Sequence, residues 1–75
     1  MSATMMNMEL RFADHLLPNQ LAEGDLVKLN DEYLTIKTIM EADTGYHLVL
    51  LDDFDDEVEA FVLDDDKIEW YVFVE

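Results

Sequence analysis

The sequence predicts an all-β (mainly) fold: five short antiparallel strands curled into a small barrel, preceded by a short N-terminal helix or extended segment. Three observations carry this. The stretch Asp52 to Asp66 reads Asp-Asp-Phe-Asp-Asp-Glu-Val-Glu-Ala-Phe-Val-Leu-Asp-Asp-Asp, a seven-residue β-type run between two acidic clusters. Adjacent carboxylates cannot be desolvated without partners, so each cluster must be a solvated turn and Glu57 to Leu63 a strand. Four further strand candidates, Asp25 to Leu29, Tyr33 to Met40, Tyr46 to Leu51 and Lys67 to Val74, are separated by polar connections of three to five residues. Connections that short leave no crossover helix, so neighbouring strands must be antiparallel. Five such strands cannot bury both faces of a flat sheet, but they can bury one by curling.

Composition bounds what such a fold can do. With 75 residues the chain forms one domain with one core, and there is no room for a separate catalytic domain. It has no cysteine, so neither a disulfide nor a thiolate metal site staples it. Nineteen Asp and Glu against four Lys and Arg set a formal net charge of −15. Such a chain repels phosphate backbones and anionic membrane surfaces, and its natural partner is basic. An acidic chain poor in apolar residues would be disordered, but 51% of these residues are hydrophobic and they fall in strand-length runs. No apolar run reaches the ~18 residues that span a bilayer, and the start lacks the pattern of a secretory signal. A soluble, cytoplasmic protein is the expectation.

Taken in order, residues 1–21 read as an N-terminal appendage and residues 22–75 as the barrel. Met8-Glu9-Leu10-Arg11-Phe12 alternates like a strand, yet Met8, Phe12 and Leu16, joined by Leu10, Ala13 and Leu17, also form a broad apolar arc on a helix. With Asn7 as a cap and Pro18 as a stop, a short helix over residues 8–17 is favoured, and residues 1–7 are expected to be mobile. Pro18 to Gly24 is a linking turn. Within the strands, Val27 and Leu29, Leu34 and Ile36, Val58, Ala60 and Val62, and Ile68, Trp70, Val72 and Val74 form the inward sets. From Ile36 to Ile39 the apolar phase slips, which calls for a bulge or bend near Lys37 and Thr38.

The run Ala22-Glu23-Gly24-Asp25-Leu26-Val27-Lys28-Leu29-Asn30-Asp31-Glu32-Tyr33-Leu34-Thr35-Ile36 resembles the opening of SH3-like small barrels of the KOW type, such as the first domain of bacterial elongation factor P. In that family a Gly-Asp pair starts the first strand, a short turn follows, and an aromatic residue begins the second. The likeness covers residues 22–74 and implies the architecture. Members that act on RNA or the ribosome present basic loops, whereas Glu41-Ala42-Asp43-Thr44-Gly45 stands at the comparable hairpin here. No functional residue is therefore carried over.

Two surfaces stand out as candidate sites. The first is acidic: Asp52, Asp53, Asp55, Asp56 and Glu57 in one turn, and Asp64, Asp65 and Asp66 in another. On alternating strands these gather at opposite poles, a distribution that could imitate a short duplex to a basic cleft. The second is apolar: Phe61, Leu63, Tyr71 and Phe73 lie opposite their strands' inward sets and form an exposed patch unless the N-terminal segment covers them. Asp53, Asp55 and Glu57 alternate like early ligands of a calcium loop, but the turn glycine and distal glutamate are absent, so no metal site or cofactor is expected. His15 and His47 stand alone, and no carboxylate pair sits in a desolvated setting suited to acid/base chemistry. The expected function is a non-enzymatic acidic protein-interaction module, a phage-type DNA mimic or inhibitor occupying a nucleic-acid-binding protein, with no direct nucleic-acid or membrane contact. The alternative is a homodimeric or assembly module using the apolar face, with acidity serving solubility.

Overall fold

In a computed structural model of the chain, which describes residues 9–74, six antiparallel strands form a single sheet. They are β1 (Glu9–Leu16), β2 (Leu26–Leu29), β3 (Glu32–Glu41), β4 (Gly45–Leu51), β5 (Glu57–Leu63) and β6 (Ile68–Val74), with one 3-10 turn at Pro18–Gln20. The expected boundaries of the last five strands hold to within a residue or so. The helix over residues 8–17 does not form. Residues 9–16 are a strand paired along β6, from Glu9 opposite Val74 to Leu16 opposite Ile68, and the sheet therefore has six strands instead of five. The expected cap at Asn7 and the mobile residues 1–7 lie outside the described residues.

The failure of the helix has a local cause. The β1 ladder slips between Phe12 and Asp14, leaving Ala13 as a bulge. Before the slip Leu10 and Phe12 stand opposite Phe73 and Tyr71; after it Leu16 stands opposite Ile68. Phe12 and Leu16 thus point to opposite faces of the sheet. Their four-residue spacing only imitates a helical arc.

Turn chemistry sets the hairpins. Asn30 and Asp31 both take left-handed backbone angles, φ 50° and 64°, and close Leu29 against Glu32 in a two-residue turn. That conformation is favourable for Asn and Asp among the non-glycine residues, and its twist matches the strands. In the β4–β5 loop, Asp55 at φ 61° lets Asp52 and Asp56 pair through Asp52 N–H to Asp56 O at 3.0 Å. The expected slip in β3 is present: the β3–β4 register shifts between Ile36 and Thr38, with Lys37 as the extra residue.

The strand order is β1-β6-β2-β3-β4-β5. Were the sheet flat, β5 and β6 would stand four inter-strand steps apart, about 19 Å. The chain crosses from one to the other in residues 64–67, folded by Asp66 N–H to Leu63 O at 3.0 Å. The sheet must therefore coil strongly. Val62 of β5 and Ile68 of β6 accordingly share one buried core with Leu21, Val27, Leu34, Ile36, Leu48 and Leu50. Among the described residues no backbone ladder joins β5 to β6, so the curl is not sealed into a closed barrel.

Candidate interaction surface

Residues opposite one another on antiparallel strands share a face, so the registers sort the side chains without ambiguity. One row on the face away from the core crosses all six strands: Phe12, Tyr71, Leu26, Thr35, Leu51 and Glu57. Leu10 and Phe73 extend it on one side, and Lys28 and Tyr33 on the other. The described part of the N-terminal segment, residues 9–16, does not cover this outer face. As a sixth strand it widens the face and adds Leu10 and Phe12 to it.

At the centre is an aromatic cluster. Tyr71 meets Phe12 edge-on at 5.7 Å between ring centroids and Tyr33 at 5.0 Å, while His15 lies 4.9 Å from Phe12 and the Lys28 ammonium 5.5 Å from the Tyr33 ring. The Tyr71 hydroxyl donates to Glu69 at 2.8 Å. That hydrogen bond to a carboxylate, with desolvation and the repulsion of Glu69 added, pushes the phenol up to about 12.

Beside the cluster an open groove of about 490 Å³ is lined by Leu10, Leu26, Tyr33, Phe54 and Phe73, with Asp31, Glu32, Asp52 and Asp53 around it. Two loops supply the acidic side. The Asn30–Asp31 hairpin brings Asp31 and Glu32, and the β4–β5 loop brings Asp52, Asp53 and Phe54. Asp52 accepts the N–H groups of Phe54 at 2.8 Å and Asp56 at 3.0 Å, which holds Phe54 at the loop tip with 84% of its surface exposed. Phe73, on the opposite side of the groove, is 57% exposed. An apolar floor with an acidic margin suits a cationic, partly apolar segment.

The other expected residues fall elsewhere. Asp55 and Asp56 lie in the exposed part of the β4–β5 loop, and Glu57 is ion-paired to Lys37. Phe61 and Leu63 are on the outer face of β5, each 48% exposed; Phe61 packs on His47 at 6.0 Å, and neither lines the groove. Asp64 donates its N–H to Thr44 O at 3.1 Å, joining the β5–β6 turn to the β3–β4 turn. Asp66 folds that same turn, its carboxylate accepting Leu63 N–H at 2.9 Å. Asp64 and Asp65 are exposed. The two acidic clusters thus occupy separate turns, and only the first flanks the groove.

Leu10, Phe12, Leu26, Tyr33 and Phe54 were not among the residues expected at a site, whereas Asp31 and Glu32 share the pole of the Asp52–Glu57 cluster, as alternating strands require. For Phe54 a signal exists in the sequence: a phenylalanine between two pairs of aspartates, inside a turn, has no core to enter. Among the described residues no three His, Asp or Glu side chains come together to hold a metal ion, and no helix is long and apolar enough to cross a membrane. No protein-family description matches the chain, and no curated protein or solved structure matches it significantly.

Proposed function

We propose that this chain is a non-catalytic interaction module that docks on a basic protein through the acid-margined groove of its outer face. The single observation that carries the reading is the convergence of five apolar and four acidic residues on one open groove. Apolar contact supplies affinity there and the carboxylates select the partner's sign. A net charge of −15 supports the choice of a basic target, and nucleic-acid-binding proteins are the class whose surfaces already accept dense negative charge. In this reading the module acts in the cytoplasm as a DNA mimic or inhibitor, with Asp53, Asp55 and Asp56 adding long-range attraction. Its frame is an SH3-like barrel left unsealed; the order β6-β2-β3-β4-β5 and the strong coil support that assignment.

The half-exposed Phe61 and Leu63 support a second reading, a homodimer built on the β5 side of the outer face. Repulsion between two bodies of charge −15 opposes it.

Affinity capture with the immobilised chain, followed by sedimentation of the free chain, separates the two. The expected result is a monomer that retains DNA-binding proteins, releases them to competing duplex DNA and to high salt, and loses them on Phe73→Ser or on joint Asp31→Asn and Asp53→Asn. A salt-resistant self-association abolished by Phe61→Ser, with groove substitutions silent, would replace the first reading by the second.

A further inference from the structure

The geometry points to strand β5 as a docking edge, to which an extended segment of a basic partner adds as a further strand, alternating Lys or Arg with small or β-branched apolar residues. The sheet has two edges, and they are not alike. β1 is interrupted by the Ala13 bulge, a feature that blunts an edge. β5 pairs with β4 without a slip from Gly45 opposite Leu63 to Leu51 opposite Glu57, and it contains no proline, lysine or bulge. On its other side, among the described residues, no backbone ladder forms. There a cleft of about 280 Å³ separates Ala60, Phe61 and Val62 on one wall from Leu29, Lys67 and Ile68 on the other.

Alternate N–H and C=O groups of an edge strand point away from its one neighbour, and such a row templates pairing with another chain. The side chains say which chain. Glu57 and Glu59 lie on the outer face, and Val58 and Ala60 on the core face. Lys37 pairs with Glu57 and His47 stands 3.9 Å from Glu59, yet the two carboxylate side chains remain 55% and 75% exposed. Cross-strand neighbours match by charge and size, so an added strand fits with cations two residues apart opposite Glu57 and Glu59 and apolar residues between them. A second copy of this chain is a poor occupant, since pairing β5 with β5 about Val58 sets Glu57 against Glu59 and every register brings together two bodies of charge −15. The carboxylates that keep the edge from pairing with itself also choose a basic strand.

The test uses a short synthetic peptide alternating Lys and Val, bound to the full chain and read by amide hydrogen exchange. Exchange is expected to slow at alternate amides within Glu57 to Phe61. N-methylation of every second peptide amide, in the register that pairs, is expected to abolish binding. Joint Glu57→Lys and Glu59→Lys substitution lowers affinity by about tenfold or more and transfers it to the peptide alternating Glu and Val. Unchanged exchange across β5, or affinity indifferent to N-methylation in both registers, overturns the proposal. The groove is judged separately by Phe73→Ser, so either can fail alone.

Discussion

At Asp52 the carboxylate accepts two N–H groups of its own loop, and at Asp66 one accepts the N–H of Leu63. Asp25 does the same for Ala22 at 2.8 Å. These aspartates shape turns, whereas Asp53 next to Asp52 makes no such bond among the described residues and is exposed. Asp52→Ala should therefore cost about 1–2 kcal/mol in chemical denaturation, and Asp53→Ala less than about 0.5 kcal/mol. Asp52→Asn, which keeps an acceptor oxygen, should recover most of the loss. At Tyr71 the expectation concerns alkaline pH. Its folded-state value is raised from 10.0 to about 12, so the folded protein holds that proton more tightly than the unfolded chain. The stabilisation is fully present below pH 10 and is lost as pH rises through about 12. Ultraviolet titration should show a tyrosine phase near pH 12 that Tyr71→Phe removes.

Among the elements, the β4–β5 pair leaves no room for a side chain at Gly45. A methyl group on Gly45 would sit 2.0 Å from Val62 O and 2.9 Å from Val62 C, backbone atoms that cannot yield without breaking the ladder. Gly45→Ala is expected to lose about 3 kcal/mol, measured by thermal and denaturant unfolding; Gly24→Ala meets nothing within 4 Å but is strained by φ 94°. β2, β5 and β6 were legible in the sequence because each alternates in one phase beside an acidic turn, β4 because it is a short apolar run between such turns, and β3 because its two phases meet at the Lys37 bulge, marked by the step from Ile36 to Ile39. β1 was legible only in part: Met8 to Phe12 alternates like a strand and leaves an extended segment open, but the helical arc is favoured over it. Its bulge at Ala13 has no compensating apolar signal, and Phe12 and Leu16, on opposite faces, mimic one helical stripe. The groove was half legible for a related reason: Phe73 and the Asp52–Asp53 pair announce themselves locally, whereas their meeting with Leu10 and Tyr33 depends on pairings between β1 and β6 and on the coil of the sheet. Periodicity within a strand carries no information about its neighbour.

For the whole molecule the dominant quantity is charge. Among the described residues two Lys/Arg ion pairs form, Arg11 with Glu9 and Lys37 with Glu57, both with exposed side chains, and the −15 is the excess that remains after all four Lys and Arg are counted. Screening should stabilise the isolated fold and weaken its complexes. The melting temperature is expected to rise between 10 mM and 1 M salt by several degrees, over the same range in which affinity for a basic partner falls. The placement of β6 has a consequence for how the molecule is made. It lies between β1 and β2, although it follows the other five strands in sequence. While the ribosome is still synthesising residues before Ile68, β1 has no strand to join and β2 has only β3. The β2–β5 meander can pair as it emerges, but β1 joins the sheet only after translation has passed Val74, so until then Leu10 and Phe12 have no strand beside them.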